Sequence, residues 1–239
     1  MAAPERIIAL PTRPAADALR PSEYSATLIQ ALRADAACAR DADVLEIGSG
    51  SGIVLAVLAA MGAKSVCGID IEKEAVQAGE TLLAELGHSG TFHCGDMWQP
   101  VTGRRFDLIA ANLPHFPMGK IAIGDRRPSW SSGGADGRDL LDPFLAGLSR
   151  HLAPGGRAVI THNAFVDLER SREIAGRQGL DLRIVSTSLV YISREKLGRI
   201  CNNVLRREEG RTIHRYGPYA FADMHIVELA GMRPAHDRR

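Results

Sequence analysis

Cysteine is scarce in this chain of 239 residues, and its four copies lie far apart. No two of them form the C-x-x-C spacing of a zinc knuckle, and the set is too sparse for a small disulfide-stapled domain. We therefore expect reduced thiols. The histidines show no ligand spacing either, so no metal site is predicted.

Long apolar runs are absent as well. The longest nearly unbroken one, from Ile53 to Ala63, is about half the length that a membrane-spanning helix needs. Met1 to Leu19 carries charges and three prolines where a secretory signal would have its apolar core. The sequence therefore predicts an untargeted leader, no membrane association and a cytoplasmic location.

A charge excess of either sign is also lacking, because 29 Lys and Arg residues stand against 28 Asp and Glu residues. Wholesale electrostatic capture by nucleic acid or membrane would need a large basic excess. With 45% apolar and 24% charged residues, the composition is that of a folded protein. The length favours one large domain, or one domain with an appendage.

Short β-branched runs alternate with longer segments of helical period, which is typical of repeated βα units. Seven strands are predicted, at Val44–Ile47, Ser65–Asp70, Thr91–Cys94, Phe106–Ala111, Arg157–Thr161, Leu182–Val190 and His225–Leu229. The main helices are predicted at Ile53–Met61, Glu72–Leu86, Asp139–Leu152 and Val166–Arg177, with none between the last two strands. We therefore expect an α/β fold with a doubly wound, mostly parallel seven-stranded sheet and an antiparallel edge.

Two segments are predicted to lie outside this repeat. A helix should begin near Pro21, with Tyr24, Leu28 and Leu32 on one face, and we interpret residues 1–42 as a leader whose helix acts as a lid. Residues 43–239 form the main domain, with a basic insertion at about residues 191–223 between the last two strands.

The strongest local signal is Val44-Leu45-Glu46-Ile47-Gly48-Ser49-Gly50-Ser51-Gly52. A strand ending in three alternating glycines lets the backbone pass close under a ligand, with no Cβ in the way and free N–H groups facing it. A dinucleotide fingerprint would need its third glycine one residue later, where Ile53 stands. The loop therefore argues against a nicotinamide enzyme.

A carboxylate lies at the tip of each of the next two strands. Asp70 lies 22 residues after Gly48, about where a βαβ unit places an acid that accepts hydrogen bonds from ribose hydroxyls. Asp96 is placed to accept a hydrogen bond from an exocyclic amine. Alone, each would indicate a helix cap or a turn. Their register with the glycine loop is what predicts a nucleoside site.

The series from Glu46 to Gly52, then Asp70 and Asp96, resembles the cofactor-binding series of the class I S-adenosylmethionine (SAM)-dependent methyltransferases. The resemblance covers half of the chain. It implies a Rossmann-like fold, with SAM as cofactor and S-adenosylhomocysteine as product. The methionine part would lie over the glycine loop, the ribose at Asp70 and the adenine against Asp96 and Met97.

The same resemblance makes Tyr24 a candidate lid residue, because the segment before the first strand often covers the cofactor in these enzymes. The complete set of cofactor-binding residues that we predict is Tyr24, Glu46, Gly48, Ser49, Gly50, Ser51, Gly52, Asp70, Ile71, Asp96, Met97 and Asn112.

The second signal, Asn112-Leu113-Pro114-His115, leaves the fourth strand. Methyl transfer from a sulfonium is an in-line displacement, so the protein must hold a nucleophile's lone pair against the methyl carbon. Asn112 Oδ1 and the Leu113 carbonyl are suited to accept both N–H bonds of a planar NH₂ group, which favours the more tetrahedral transition state. Pro114 removes a competing donor and stiffens the turn. His115 or Phe116 would flank the acceptor group.

These four residues are similar to the N-P-P-Y motif of amino methyltransferases, with two departures. Leu113 replaces the first proline, as in the N-L-P-Y of ribosomal RNA adenine dimethylases. His115 replaces the aromatic residue, and whether it is a base, a stacking partner or neither stays open. We predict that Asn112, Leu113, Pro114 and His115 are the catalytic residues.

A third segment, Trp130 to Asp139, resembles the G-G-x-D-G stretch that follows N-P-P-Y in the HemK/PrmC glutamine methyltransferases. It is closest to the eukaryotic and archaeal type, which has a tryptophan ahead of it. Those enzymes methylate the side-chain amide of a glutamine in a Gly-Gly-Gln loop of translation release factors. The resemblance therefore implies a protein glutamine as acceptor.

Alternatives stay open at this point. An adenine or guanine amine of nucleic acid suits the same chemistry, although the near-neutral charge favours a protein or a small molecule over nucleic acid. A nitrogen or oxygen of a small metabolite is a further candidate. The non-enzymatic alternative is a silent SAM-fold binding subunit, but such subunits usually lose the glycine loop or the asparagine motif, and both are intact.

The segment from Tyr191 to Asp223 has no counterpart in this resemblance. It contains seven Lys and Arg residues against four Asp and Glu residues, together with Tyr216, Tyr219 and Phe221. We predict a hairpin-like insertion that reads an acidic or aromatic partner. A solvated charged arm and a homodimer contact are the open alternatives.

Overall fold

An eight-stranded sheet organises the residues that the computed structural model describes, which are 21–35, 37–119 and 130–232. The strands are β1 Asp43–Ile47, β2 Ser65–Asp70, β3 Thr91–Cys94, β4 Phe106–Ala111, β5 Leu152–Asn163, β6 Leu180–Ile192, β7 Ile213–Tyr216 and β8 Tyr219–Gly231. Their order in the sheet is β3-β2-β1-β4-β5-β8-β6, and β7 pairs with β8 outside this path.

Strand direction places the functional crevice. Strands β1 to β5 run parallel to one another, and β8 is antiparallel to β5 and β6. The chain order reverses between β1 and β4, because β2 and β3 lie on one side of β1 whereas β4 and β5 lie on the other. Ligands of such sheets bind where the order reverses, beyond the carboxyl ends of the strands. The predicted fold class is confirmed.

The helices are α1 Glu23–Ala34, α2 Ile53–Ala60, α3 Lys73–Glu85, α4 Leu141–His151, α5 Leu168–Gly176, α6 Arg194–Leu197 and α7 Asn202–Glu208, with a 3₁₀ turn at Gln99–Val101. Helix α2 is apolar nearly all round and largely buried, as predicted. It ends where Gly62 takes a φ of +94°, a conformation that glycine adopts without strain.

The sequence prediction undercounts the elements near the end of the chain. No helix was expected between β6 and β8, but α6 and α7 lie there, together with one additional strand, β7. Helices α6 and α7 span four and seven residues and each buries one side chain, Leu197 and Val204. Such short elements carry too few periodic positions to show a helical pattern. Strands β6 and β8 are also longer than predicted, with 13 residues each.

The start of β5 is also a point of difference. The strand begins at Leu152, ahead of the predicted Arg157, and includes Pro154, Gly155 and Gly156. The register with β4 shifts between Phe106 and Leu108, so a bulge accommodates Gly155 at a φ of +79°. Glycine and proline therefore mark an irregular strand here and not a separate turn.

Helix α1 packs against α2 and the antiparallel end of the sheet. Leu28 is fully buried and Leu32 almost so, and both belong to the same hydrophobic core as the strands. The predicted leader, Met1 to Leu19, lies outside the described residues, and the division at residue 42 stays a prediction. No helix in the described ranges is long and apolar enough to cross a membrane.

Candidate functional site

A cavity of about 920 Å³ opens at the carboxyl ends of β1, β2 and β4, where the strand order reverses. This volume suits a nucleoside-sized ligand with room for a second group. Of the predicted site residues, those that line the cavity are Tyr24, Gly48, Gly50, Asp70, Ile71, Asp96, Met97, Asn112, Leu113, Pro114 and His115. The chain thus brings both sequence signals to one cavity.

Four predicted residues support the cavity from behind. Glu46 and Ser49 are buried, Gly52 lies at the start of α2, and Ser51 stands beside it. None of these four belongs to the lining of the cavity. Gly52 has a φ of +76°, and a Cβ there would approach Gly79 Cα to 2.7 Å, so this glycine lets α2 and α3 come close.

The glycine loop differs from the expectation in its backbone amides. The prediction of free N–H groups is wrong for the four amides whose partners are resolved. Gly48 and Ser49 both donate to the Ile69 carbonyl, at 2.8 and 3.0 Å. Gly50 donates to Asp70 Oδ2 at 2.8 Å. The remaining one, at Gly52, donates to the Ser49 carbonyl at 2.8 Å.

This saturation has a chemical consequence. A loop that cradles a phosphate presents unpaired N–H groups to it. Here the four amides with resolved partners donate to other groups of the protein, and the charged side chain that contacts the loop, Asp70, is acidic. The loop lets the backbone approach a ligand closely, and its surroundings suit a cationic centre better than a pyrophosphate.

Two carboxyl groups lie at the base of this loop. Burial, with the Asp70 charge adding to it, raises the pKa of Glu46 well above its ordinary value. Its Oε2 atom is buried without a partner among the described residues. Burial also raises the pKa of Asp70, although hydrogen bonds from the Glu72 and Gly50 backbone lower it.

The third strand contributes the other end of the cavity. Asp96 and Met97 follow β3 and line the cavity opposite Ile71, which is 65% exposed. Met97 has a φ of +47°, a left-handed conformation that is uncommon for a side chain of this kind. An exposed aliphatic side chain beside a carboxylate is an arrangement that fits the face and the edge of a planar base.

Asn112 lines the cavity and directly follows β4. Its Oδ1 atom accepts a hydrogen bond from Thr161 Oγ1 at 2.8 Å, and its Nδ2 atom lies 3.5 Å from Ser25 Oγ. Because an amide oxygen has two lone pairs, one remains for a ligand N–H. Thr161 and Ser25 thus hold the Asn112 side chain in place.

His115 lines the cavity but is almost fully buried, at 3% exposure. Its Nδ1 atom is hydrogen-bonded to the Leu113 carbonyl, and its Nε2 atom accepts the Asn163 N–H at 2.9 Å. Burial lowers the pKa of His115 to about 4. Both ring nitrogens are therefore occupied, and the ring is neutral at physiological pH.

Tyr24 reaches the cavity from α1. Its hydroxyl donates to Asn163 Oδ1 at 2.6 Å, and its ring meets the His115 ring edge-on, with centroids 6.1 Å apart. Burial raises the pKa of Tyr24, so the hydroxyl stays protonated as a donor. The predicted lid residue is thus tied to the acceptor side of the cavity.

Several lining residues escaped the sequence prediction. Trp130 and Ser131 come from the G-G-x-D-G segment, and the Ser131 hydroxyl is buried with no partner among the described residues. Tyr191, Ser193 and Lys196 come from the basic insertion, and Lys196 Nζ lies 3.4 Å from the centre of the Phe116 ring. The tryptophan beside the glycine-rich segment was the available signal. No motif or spacing in the sequence indicated the other four residues.

A cluster of three or more potential metal ligands does not occur within residues 21–35, 37–119 and 130–232. The four cysteines are free thiols, ranging from buried Cys67 to exposed Cys94. The chemistry of the cavity is therefore described by its carboxylates, its amide and its carbonyl groups.

A doubly wound sheet, a saturated glycine loop and two carboxylates around a nucleoside-sized cavity define the class I SAM-dependent methyltransferase fold. SAM fits the groups present, because Asp70 and Asp96 offer acceptors for hydroxyl and amine donors. The same cavity also contains the Ser131 hydroxyl, which has no partner among the described residues, and the remaining lone pair of Asn112 Oδ1.

Comparison with known proteins agrees with this class. Residues 44–123 match the family model of a methyltransferase domain. The chain is 33% identical over 127 residues, 53% of its length, to a Methanocaldococcus jannaschii protein provisionally named a protein N5-glutamine methyltransferase, of which it covers 64%. It is 32% identical over 124 residues, 48% of its length, to the release factor glutamine methyltransferase of Gloeobacter violaceus, of which it covers 43%.

Solved structures share the fold at low identity. The YcgJ protein of Bacillus subtilis has a TM-score of 0.62 at 14% identity, over 87% of this chain and all of that one. A T. thermophilus 16S rRNA methyltransferase, solved with AdoMet and guanosine, has a TM-score of 0.57 at 17% identity, over 90% of this chain and 45% of that one.

The chain therefore has the fold of the class I methyltransferases, its residues 44–123 match a methyltransferase domain, and it resembles the HemK/PrmC-like glutamine methyltransferases. It spans less than two thirds of the length of each of the two relatives. The segment that matches the family model, residues 44–123, contains the glycine loop, both acids and the asparagine motif.

Proposed function

We propose that this protein is a SAM-dependent methyltransferase that methylates a planar nitrogen, with the side-chain amide of a protein glutamine as acceptor. One observation carries the proposal: a single cavity joins Asp70 and Asp96 at one end to Asn112-Leu113-Pro114 at the other. Bound SAM would supply an electrophilic methyl group on a sulfonium. The residues of the chain bind, orient and exclude water.

The acceptor end is suited to hold an NH₂ group. Asn112 Oδ1 and the Leu113 carbonyl each have a lone pair left after their contacts with Thr161 and His115. Two acceptors on the two N–H bonds fix the nitrogen and direct its lone pair away from the amide plane. An amide nitrogen is a poor nucleophile, so this orientation is the main contribution expected of the protein.

The proton released from the nitrogen needs a route other than His115. The Nε2 lone pair of His115 accepts the Asn163 N–H, and the ring is buried. Methylation forms the N–C bond as the S–C bond breaks, and the proton leaves to water. A dedicated histidine base is therefore not part of the proposal.

The face of the sheet beside the cavity supports a polypeptide acceptor. Tyr191, which lines the cavity, contacts Phe221, and Phe221 contacts Tyr216, with ring centroids 5.8 and 6.1 Å apart. Tyr219 lies opposite Tyr216 on the same face. The three tyrosines are 47%, 59% and 57% exposed. We call Tyr191, Tyr216, Tyr219 and Phe221 together the tyrosine face.

The charge on this face distinguishes two kinds of acceptor. Besides these four residues, Leu189, Asp223 and His214 lie on the same side of the strands, with no Lys or Arg among them, and Asp223 pairs with His214. Arg215 is exposed on the opposite side of β7 and pairs with Glu209. A phosphodiester chain would gain little there, because it needs cations. Exposed tyrosines suit a polypeptide, since they provide apolar area and hydrogen bonds together.

One similarity supports the alternative that the methyl acceptor is a nucleic acid. The chain is 31% identical over 124 residues, 52% of its length, to the ribosomal RNA small subunit methyltransferase C of an Enterobacter species, of which it covers 32%. An exocyclic amine of guanine or adenine presents the same two N–H bonds to Asn112 and Leu113. The experiment must therefore include RNA.

The test is incubation of the purified chain with SAM carrying a tritiated methyl group. The acceptors are a peptide with a central Gly-Gly-Gln, the matched peptide with Gly-Gly-Glu, total RNA, and a small-molecule extract. Label in the Gly-Gly-Gln peptide alone is the expected result, because the glutamate peptide lacks the amide nitrogen. Label in RNA would establish the alternative acceptor instead.

Cofactor binding is tested separately by thermal unfolding. At about 100 times the dissociation constant, SAM should raise the melting temperature by about 5–10 °C. A rise without transfer to any fraction would indicate a silent binding subunit. No rise with SAM or with S-adenosylhomocysteine would contradict the cofactor assignment.

A further inference from the structure

His115 stands where the related motif has an aromatic residue, and its contacts are specific. Nε2 accepts the backbone N–H of Asn163, and a backbone N–H is only a donor. Nε2 must therefore carry the lone pair, and the ring proton lies on Nδ1. That proton is donated to the Leu113 carbonyl. The contact with the backbone of β5 thus fixes the tautomer.

We infer that His115 is a positioning residue, which holds the Leu113 carbonyl in the orientation that accepts a hydrogen bond from the methyl acceptor. This inference rests on the proposed function, because the Leu113 carbonyl is one of the two groups assigned to the acceptor nitrogen. A carbonyl with one lone pair bound to Nδ1–H presents its other lone pair in a fixed direction. A phenyl or phenol ring at this position would have no donor at the place of Nδ1.

The groups around the ring support a neutral, non-titrating role. Tyr24 faces the ring from α1 and His162 from β5, while Lys196 and Arg138 act on it electrostatically. Both cations oppose protonation, and burial opposes it more strongly. His162 is buried too, and burial lowers its pKa to about 3. The ring therefore keeps one protonation state throughout the physiological range.

The same contacts reach α1. Asn163 is fully buried, and its Oδ1 atom accepts the Tyr24 hydroxyl while its N–H is donated to His115. The chain of hydrogen bonds runs from Tyr24 through Asn163 and His115 to the Leu113 carbonyl. Helix α1 thus helps to hold the acceptor carbonyl, although it comes from a distant part of the sequence.

Three substitutions separate the two contacts of the ring. His115→Asn places an amide NH₂ near the position of Nδ1, so it keeps a donor for Leu113. His115→Gln places its amide oxygen near the position of Nε2, so it keeps an acceptor for Asn163 and loses the donor. His115→Phe loses both contacts and restores the aromatic type of the related motif.

The measured quantities are kcat and KM for the Gly-Gly-Gln peptide and the dissociation constant for SAM. We expect His115→Asn to keep kcat within about threefold, and His115→Gln and His115→Phe to lose about tenfold to a hundredfold. SAM affinity should change by less than about twofold in all three. Tyr24→Phe should give a smaller loss of kcat, about threefold.

Three kinetic results would overturn the inference. One is full kcat in His115→Phe. Another is a titration step near neutral pH in the wild-type kcat profile that disappears in the variants, because that would make His115 a base. An equal loss in His115→Asn and His115→Gln would also contradict a role through the Nδ1 donor.

A measurement on the wild type covers the case in which variants fold poorly. Nitrogen-15 NMR of labelled histidine should show His115 protonated at Nδ1 and unprotonated at Nε2, without change between about pH 5.5 and 8. The opposite tautomer would overturn the inference even if amide methylation is found. Absence of amide methylation by the wild type would instead remove the proposed function, and this inference with it.

Discussion

Trp130 Nε1 donates a hydrogen bond to Glu72 Oε2 at 3.1 Å, and the two side chains meet across the cavity that we assign to SAM. Trp130 belongs to the segment before α4, and Glu72 lies just before α3. The indole thus closes the nucleoside end against the second βα unit. A contact of this kind should slow the departure of a bound nucleoside.

Trp130→Phe should weaken SAM binding about threefold to tenfold, because it removes the hydrogen bond to a carboxylate and keeps an aromatic ring. The dissociation constant is measured by titration calorimetry. The matched control is Trp98→Phe, since Trp98 is the other tryptophan and its Nε1 atom bonds the Pro143 carbonyl instead. Equal weakening in both variants would contradict a specific role for Trp130.

Asn112→Ala should leave most of the SAM-dependent rise in melting temperature and reduce kcat by about a hundredfold or more. The reason is that Asn112 is assigned to the acceptor nitrogen, while the nucleoside end depends on Asp70 and Asp96. Thr161→Val is a useful companion, because it removes only the hydroxyl that bonds Asn112 Oδ1 and should cost less activity. Normal turnover in Asn112→Ala would mean that this residue is misassigned.

Glu46→Gln should make stability less dependent on pH. Burial raises the pKa of Glu46, so its folded-state value lies above its unfolded value. Its stabilising contribution is therefore complete below the ordinary pKa and is lost as pH rises through the raised pKa. The wild type should lose stability relative to the variant between about pH 5 and pH 8, which urea unfolding without SAM will measure. Parallel pH profiles would show that Glu46 does not ionise in this range.

Gly52→Ala and Gly62→Ala form a matched pair for the glycine loop. Both glycines have a positive φ, at +76° and +94°, but a Cβ at position 62 meets nothing within 4 Å. At position 52 it would lie 2.7 Å from Gly79 Cα. Gly62→Ala should cost about 1 kcal/mol and Gly52→Ala about 2–4 kcal/mol in the free energy of unfolding. Similar costs would mean that α2 and α3 can move apart easily.

The positions of the first five strands along the chain could be predicted because each is a short β-branched run bounded by glycine or a polar turn. The strands β2, β3 and β4 match their predicted bounds. The glycine loop, the two acids and Asn112 are also visible in the sequence, since each lies at or just after the end of a strand and parallel strands end at one edge. Local chemistry and strand direction together were sufficient to predict one nucleoside site.

The fold of the insertion was less predictable. Its helices are short, and the strand β7 is held by pairing with β8 rather than by its own pattern. That Tyr191 and Lys196 line the cavity depends on where the long strand β6 ends, and no local signal in the sequence gives that position.

The sequence by itself determined the class of the sheet, the position of the glycine loop and the identity of the candidate acceptor motif, because these depend on residues close together in the chain. Only the tertiary structure decided that the amides of the loop are occupied, that Trp130 meets Glu72, and that His115 is held by Asn163. The partners in the last two contacts are 58 and 48 residues apart. A hydrogen bond satisfied across that separation leaves no periodicity or spacing in the sequence, so it becomes visible only when the strands have brought both partners to the same cavity.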